Sequence, residues 1–285
     1  MTSNNNSNKI ILGSAQWGMN YGVSNKIGIP SDSELNKIIK TAKKNNITLL
    51  DTASSYGNAE QRIGNIANNE FNIITKISNI SLDNSIAYQV KKSLDNLKSK
   101  SLYACLFHNA NELIKMPVFW DKLIRQKELG LIKKIGYSLY HPEEFEKLIQ
   151  VKCIPDIIQI PFNIIDRNFE PYLKDLKSLG IEIHVRSIFL QGLLLKKNKY
   201  KQKKFSNWFT IWDSYEFWLK KKSISPLEGC LSHVLSYKEF SNILVGIESN
   251  SQLSEIILAS KKKAGKAPDS ITSSDLSLTN PLAWM

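Results

Sequence analysis

Residues 48–64 read TLLDTASSYGNAEQRIG. A short apolar run closes on a carboxylate, Asp51. A turn of small residues follows and holds Tyr56, and a segment of helical character begins after it. The unit is strand, loop, helix. An apolar strand that ends on Asp puts a charge where burial is costly, so a cationic partner is expected close by.

Seven further apolar runs alternate with helical patterns along the chain: 9–13 (KIILG), 72–76 (NIITK), 104–108 (ACLFH), 134–138 (KIGYS), 156–161 (DIIQIP), 182–187 (EIHVRS) and 242–246 (NILVG). Most lack clean alternation, as parallel strands buried on both faces do. The segments between them carry helix signals. SDSE at 31–34 reads as a capping box ahead of Leu35, Ile38, Ile39 and Ala42. Ile86, Val90, Leu94 and Leu97 share a face, Pro142 and Pro226 stand where a first helical residue belongs, and 252–260 supplies the last helix. Eight strand–helix alternations predict an α/β fold, a single-domain (β/α)8 TIM barrel over residues 9–285. The polar start, residues 1–8, is expected to be a disordered tail. There is no internal sequence repeat.

One connection is long. Between the seventh and eighth runs lies KKNKYKQKKFSNWFTIWDSYEFWLKKK, 196–222, with six lysines in 196–204 followed by Trp208, Trp212 and Trp218. Such an insertion forms either a lid or wall of the site or an amphipathic helix packed on the barrel exterior.

Bulk properties exclude several classes. No stretch approaches the roughly 20 apolar residues that span a bilayer, and the start has no apolar core of a secretory signal. Three cysteines, Cys105, Cys153 and Cys230, are an odd count without metal-like spacing and fit free thiols in a reducing cytoplasm. His108, His141, His184 and His233 are scattered, which disfavours a metal hydrolase. The net charge of +12 raises an anionic partner, but no RNP, helix-turn-helix or zinc pattern supports nucleic acid. No G-x-G-x-x-G follows a strand, so a Rossmann domain is not expected. The expected partner is a small molecule, in the cytoplasm, with neither membrane nor nucleic acid; nothing in the sequence indicates an oligomeric state.

Asp51 ends the second run, Lys76 the third and His108 the fourth, with Tyr56 in the loop after the second. Strand ends at the carboxyl face of a barrel point into one pocket, so the four groups should meet. Singly, the lysine reads as a salt bridge and the histidine as a satisfied polar residue. Jointly they suit carbonyl reduction. Tyr56 can protonate the oxyanion left by hydride addition, though a free phenol has a pKa of about 10. An adjacent Lys76 ammonium is expected to lower that value. Asp51 would hold Lys76 charged, and His108 would hydrogen-bond the carbonyl oxygen. A Schiff-base aldolase using Lys76 fits the adjacent Asp51 and Tyr56 as well.

Seven motifs, in order, resemble the aldo-keto reductase superfamily, and its short bacterial branch in particular: LGSAQWGMNYG (12–22), LDTASSYGNAE (50–60), ITK (74–76), LFHN (106–109), LIKKIGYS (131–138), RSIFLQGLLL (186–195) and LVGIES (244–249). The resemblance implies that Asp51, Tyr56, Lys76 and His108 are the catalytic tetrad. It implies a nicotinamide dinucleotide across the barrel mouth. Ser138 and Gln159 match the positions holding the carboxamide, with Asn163 supporting that wall. Ser187, Gln191 and Gly192 fall in the pyrophosphate loop, and Gly246, Ser249, Gln252 and Glu255 surround the adenosine end. An aldolase would need neither the Ser138–Gln159 pair nor the 186–192 loop. Trp17 matches a position that lines the substrate pocket, and Tyr21 is expected near it.

This chain departs from the family pattern at three places. Leu139 stands where Asn is common after the serine. Arg186 replaces a tyrosine that stacks on the nicotinamide. Gly246 and Gln252 stand where basic residues meet a 2′-phosphate, with Glu248 close by. NADP(H) is the first expectation from the family and NAD(H) the second. The reading is an NAD(P)H-dependent reductase of an aldehyde or ketone, such as a sugar or nucleotide-sugar carbonyl, whose anionic form the lysine run would attract. The alternative is a non-catalytic, redox-sensing or regulatory subunit with the same fold.

Overall fold

The computed structural model describes residues 6–22, 25, 28–67, 70–81, 84–196 and 203–284. Eight parallel strands close into a barrel in chain order: β1 (Ile10–Gly13), β2 (Leu49–Asp51), β3 (Asn72–Ile77), β4 (Leu102–Phe107), β5 (Ile132–Ser138), β6 (Ile157–Pro161), β7 (Glu182–Arg186) and β8 (Asn242–Gly246). β1 pairs with β2 on one side and β8 on the other. All eight expected strands are present, and the single-domain barrel is the fold. Asn6–Lys9 forms a 3-10 turn in which buried Ser7 donates its hydroxyl to Asn45 O at 2.8 Å. Residues 6–8, expected in the tail, are therefore part of the fold; residues 1–5 lie outside the described residues.

Alternate residues of each strand face inward. Ile11, Leu49, Ile74, Ala104, Leu106 and Ile157 make an apolar layer inside the barrel. Below it Glu182 accepts the Tyr103 hydroxyl at 2.9 Å and contacts His184 Nε2 at 2.6 Å, and it is ion-paired with Lys134. Burial would raise the Glu182 carboxyl, but His184, Lys134 and Tyr103 outweigh it and hold the group at about 2. The outward residues meet the helices. Ile10, Leu12, Leu50, Ile73, Cys105 and Tyr137 share one core with the helical stripes Leu35–Ile38–Ile39–Ala42 and Ile86–Val90–Leu94–Leu97.

The caps are mostly where the sequence puts them. Ser225 Oγ accepts from Glu228 N at 3.3 Å, and the Glu228 carboxylate accepts from Ser225 N at 2.7 Å, ahead of the helix Pro226–Leu235. Glu144 accepts from His141 N at 3.0 Å at the start of Pro142–Gln150. The box at 31–34 is only half formed. Ser31 Oγ accepts from Glu34 N at 3.2 Å, but the Glu34 carboxylate accepts from Asn250 N at 2.7 Å instead of returning to Ser31. It thereby ties the helix Asp32–Lys44 to the start of the last barrel helix, Asn250–Ala259.

The long connection forms a 3-10 turn, Lys203–Trp208, and a helix, Phe209–Lys222. Trp212, Tyr215, Trp218 and Leu219 are buried in a second core with Ile164, Ile165, Leu190, Leu193, Leu194, Ala267, Ile271 and Leu278. Tyr215 donates to Leu194 O at 3.1 Å, and Trp212 Nε1 to Phe205 O at 2.7 Å. The described part of the connection is a helix packed on the loops after β6 and β7, the helix Pro226–Leu235 and the C-terminal segment, and it braces the turn after β7. Gly229 permits the contact, since a Cβ there would lie 2.6 Å from Leu219 Cδ2. Of the lysine run, residues 197–202 lie outside the described residues; Lys204 Nζ donates to Trp284 O at 2.8 Å. Cys105, Cys153 and Cys230 are buried and form no disulfide among the described residues. Among the described residues no helix is long and apolar enough to cross a membrane, and no cluster of three metal-ligating side chains occurs.

Trp212, 1% exposed, is the centre of this second core. Trp212→Ala should cost about 3–5 kcal/mol through the cavity it leaves. Chemical denaturation read by far-UV circular dichroism checks it, and a loss under about 1 kcal/mol would mean the connection is not a structural brace.

Candidate active site

Asp51 closes β2 and Lys76 comes from β3, and each side chain is 1% exposed. In the β2–β3 register Asp51 faces Ile74, so Lys76 lies two residues further along the same inward face. The two side chains form a buried ion pair. Lys76 also donates to Thr52 O at 3.0 Å, and the second carboxylate oxygen of Asp51 accepts from Gln159 Nε2 at 2.9 Å. Lys76 is thus the cation that the strand-ending carboxylate requires.

Tyr56 sits on the turn between β2 and the helix Ala59–Ile66. That turn is held by backbone contact with the helix Ala15–Gly18 after β1. A Cβ at Gly18 would lie 2.0 Å from Tyr56 O, and one at Gly57, where φ is +57°, would lie 2.1 Å from Gly18 O. Only glycine allows both. The Lys76 ammonium lies 5.4 Å from the centre of the Tyr56 ring. His108 follows β4 directly, and its ring meets Tyr56 edge-on with centroids 5.6 Å apart. Its Nδ1 is 3.2 Å from Ser55 Oγ. The four expected groups do converge.

Their electrostatics differ from expectation at Tyr56. Burial, and then the charge of Asp51, raises the phenol rather than lowering it. Burial pulls the Lys76 ammonium down while Asp51 opposes it. Burial, Lys76 and Arg186 push His108 down to about 3, so its ring is neutral near pH 7.

The facing wall comes from β5, β6 and β7. Ser138 and Gln159 are register partners. Gln159 Oε1 is buried without a hydrogen-bond partner among the described residues. Arg186 donates from Nε to Ser138 Oγ at 3.3 Å, from one terminal nitrogen to Ser187 Oγ at 3.3 Å and from the other to Leu139 O at 2.9 Å. Its guanidinium lies 4.4 Å from the centre of the Tyr140 ring. Beyond it, Ser187, Leu190 and Gln191 have φ of 61°, 47° and 50°, and Gly192 of 85°. Left-handed non-glycine residues crowded into one turn store strain of a kind that clusters at ligand sites.

One cavity collects Asp51, Tyr56, His108, Ser138, Gln159, Arg186, Ser187, Gln191, Gly192, Gly246, Gln252, Glu255 and Tyr21. Lys76 lies beneath, against Asp51. Two expected residues line no part of the cavity, and Asn163 holds its wall from behind. Trp17 does not line the cavity: it is fully buried in the barrel–helix core, with Nε1 donating to Ile247 O at 2.9 Å. Ser249 caps the helix Asn250–Ala259, its Oγ accepting from Gln252 N at 3.2 Å. Asn163 stands behind the wall, donating to Ser187 O at 3.2 Å and accepting from the backbone of Ile165 and Asp166.

Sequence reading missed Gln16, Tyr140, Phe189 and, as a lining residue, Glu248. Gln16 fills the space that Gly246 leaves, where a Cβ would lie 2.8 Å from its Nε2, and its Oε1 is buried without a partner among the described residues. A polar residue just past β1 in the quoted 12–22 motif was the available signal.

Comparison with known proteins agrees with this fold. The model of the aldo/keto reductase family matches residues 9–267. A chloroplastic pyridoxal reductase of Arabidopsis thaliana is 25% identical over 200 residues, 61% of this chain and 54% of the relative, so the match spans about half the relative's length. The barrel is similar to those of an aldo-keto reductase from Bacillus halodurans (18% identity, 90% of this chain and 87% of that one, TM-score 0.72) and a glycerol dehydrogenase from Gluconobacter oxydans (20%, 87% and 85%, 0.66). At these identities the solved structures speak for the fold.

The neutral His108 has a consequence for stability. Its folded value lies below the unfolded one, so its contribution is complete above about pH 6.5 and is lost as pH falls toward 3. The slope it adds is at most about 1.4 kcal/mol per pH unit. Denaturant titrations of wild type and His108→Asn between pH 7 and 4 should diverge, the variant being less acid-sensitive; parallel curves would contradict a neutral imidazole in the cavity wall.

Proposed function

The chain belongs to the aldo/keto reductase family of NAD(P)H-dependent oxidoreductases, and on that premise we propose that it reduces an aldehyde or ketone, with Tyr56 as proton donor. One observation carries the reading: Tyr56 and His108 share a cavity with the buried Asp51–Lys76 pair, opposite a wall with an unsatisfied acceptor. That wall fits a nicotinamide carboxamide. Gln159 Oε1 can accept from its amide N–H, and the Ser138 hydroxyl, already accepting from Arg186, can donate to its carbonyl.

A reduced nicotinamide bound there supplies the hydride. The protein does the rest. In the tautomer in which Nδ1 accepts from Ser55 Oγ, His108 carries its hydrogen on Nε2 and offers it to the substrate oxygen. The raised phenol of Tyr56 keeps its proton until an alkoxide, a far stronger base than phenolate, forms beside it. The Lys76 ammonium then stabilises the phenolate that remains, and Asp51 fixes the ammonium in place. Tyr21, Tyr56, Tyr140 and Phe189 give the cavity aromatic walls, which suit a planar aldehyde. Pyridoxal, the substrate named for the Arabidopsis relative, therefore belongs beside sugar and nucleotide-sugar carbonyls in a substrate panel.

The family expectation of NADP(H) needs a cation for the 2′-phosphate. At the β8 end the cavity has Glu248 and Glu255, and Arg186, at the end of the neighbouring β7, is the one Lys or Arg among the described lining residues. This supports NAD(H), whose ribose hydroxyl a carboxylate can bind.

Tyr56→Phe should lower carbonyl reduction by roughly 10²–10⁴-fold while dinucleotide affinity changes by less than about twofold. Nicotinamide absorbance during turnover and fluorescence titration measure the two. Undiminished reduction removes Tyr56 as donor, and dinucleotide binding without turnover of any carbonyl favours a sensing subunit. The same titration should rank NADH above NADPH.

A further inference from the structure

We propose that the Arg186 guanidinium makes this site hold its dinucleotide in the reduced form and release it once oxidised. The inference rests on the dinucleotide reading given above and concerns a residue with no role in proton transfer.

Arg186 brings a full positive charge to the cavity wall, and every hydrogen bond it makes there is to a neutral acceptor: Ser138 Oγ, Ser187 Oγ and Leu139 O. No carboxylate among the described residues forms an ion pair with it. The rest of the reacting end is close to neutral. The Lys76 charge is matched by Asp51, and His108 is held uncharged. Asp166 is the buried carboxylate that feels Arg186, but it is not among the lining residues and is not bonded to it. Glu248 and Glu255 belong to the β8 end.

The position of this charge matters because of its neighbour. Ser138, which contacts Arg186, and Gln159, whose Oε1 awaits a donor, are the groups that suit the carboxamide. The ring bearing that carboxamide is thereby brought to the guanidinium. An oxidised nicotinamide carries a positive charge; the reduced ring carries none. Two like charges a few ångströms apart against protein walls of lower dielectric repel more than in bulk solvent. A planar guanidinium also stacks well on an uncharged conjugated ring. The difference falls entirely on the redox state of the ligand, so the adenosine contacts cancel in the ratio.

The consequence is a directional enzyme. Product dinucleotide inhibits weakly, and the site refills with the reduced form even where the oxidised form is abundant. The bound couple is shifted to a higher potential, about 30 mV for each tenfold of differential affinity. The equilibrium of the free reactants is unchanged.

The test is a ratio of dissociation constants, measured by calorimetry and fluorescence on the full chain with NADH and NAD+, or NADPH and NADP+ if those bind more tightly. Wild type should bind the reduced form at least about tenfold more tightly. Arg186→Gln should bring the ratio below about threefold, mainly by tightening the oxidised form, and Arg186→Lys should keep it high. Equal affinities in wild type, or a wild-type ratio in Arg186→Gln, would overturn the inference and leave carbonyl reduction standing. A wild-type protein that binds no dinucleotide would overturn both.

Discussion

The buried pair of Asp51 and Lys76 is the constraint around which the barrel mouth is organised. Taking two opposite charges out of water is costly, and their attraction offsets the cost only if the remaining lone pairs and protons are also satisfied. Here they largely are: Asp51 is bound by Lys76 and Gln159, and Lys76 by Asp51 and Thr52 O. The bonds join β2 and β3 to β6 across the barrel interior. The electrostatic need of one carboxylate therefore fixes the height of three strand ends, and with them the floor on which Tyr56 and His108 stand.

Much of this was legible in the sequence, because the fold rests on short apolar runs and the site on their last residues. Asp51, Lys76 and His108 could be located by counting to strand ends. Side-chain direction could not be read in that way. Trp17 and Gln16 are neighbours in the same motif, yet the short helix after β1 turns the indole into the core and leaves the amide in the cavity wall. Long-range competition was equally hidden. Glu34 has the spacing of a capping box, but a backbone donor 216 residues away takes its carboxylate. The Tyr56 shift was misjudged for a related reason. Sequence proximity announced the ammonium, whereas the larger influence is the depth of burial, which depends on the whole loop layer.

The long connection between β7 and β8 illustrates how an exterior addition acts on an interior site. Its helix contributes no residue to the cavity lining. It buries Trp212, Tyr215 and Trp218 against Leu190, Leu193 and Leu194, the residues of the turn that carries Gln191 and Gly192 into the cavity. A turn holding several left-handed residues needs support from outside, and this core provides it. The lysine run is the conspicuous feature of this connection in the sequence, and the aromatic residues after it form the second core.

The glycine-to-glycine contact between Gly18 and Gly57 divides the segment after β1 into two unequal parts. Its near half shares a backbone seam with the turn that bears the phenol, where even a methyl group has no room. Its far half, past Met19, shows no such seam among the described residues, and the next helix is capped at Ser31. A side chain added in the inner stretch would displace the phenol-bearing turn as well. The inner stretch behaves as a hinge pin, shared by two loops and free to follow neither alone.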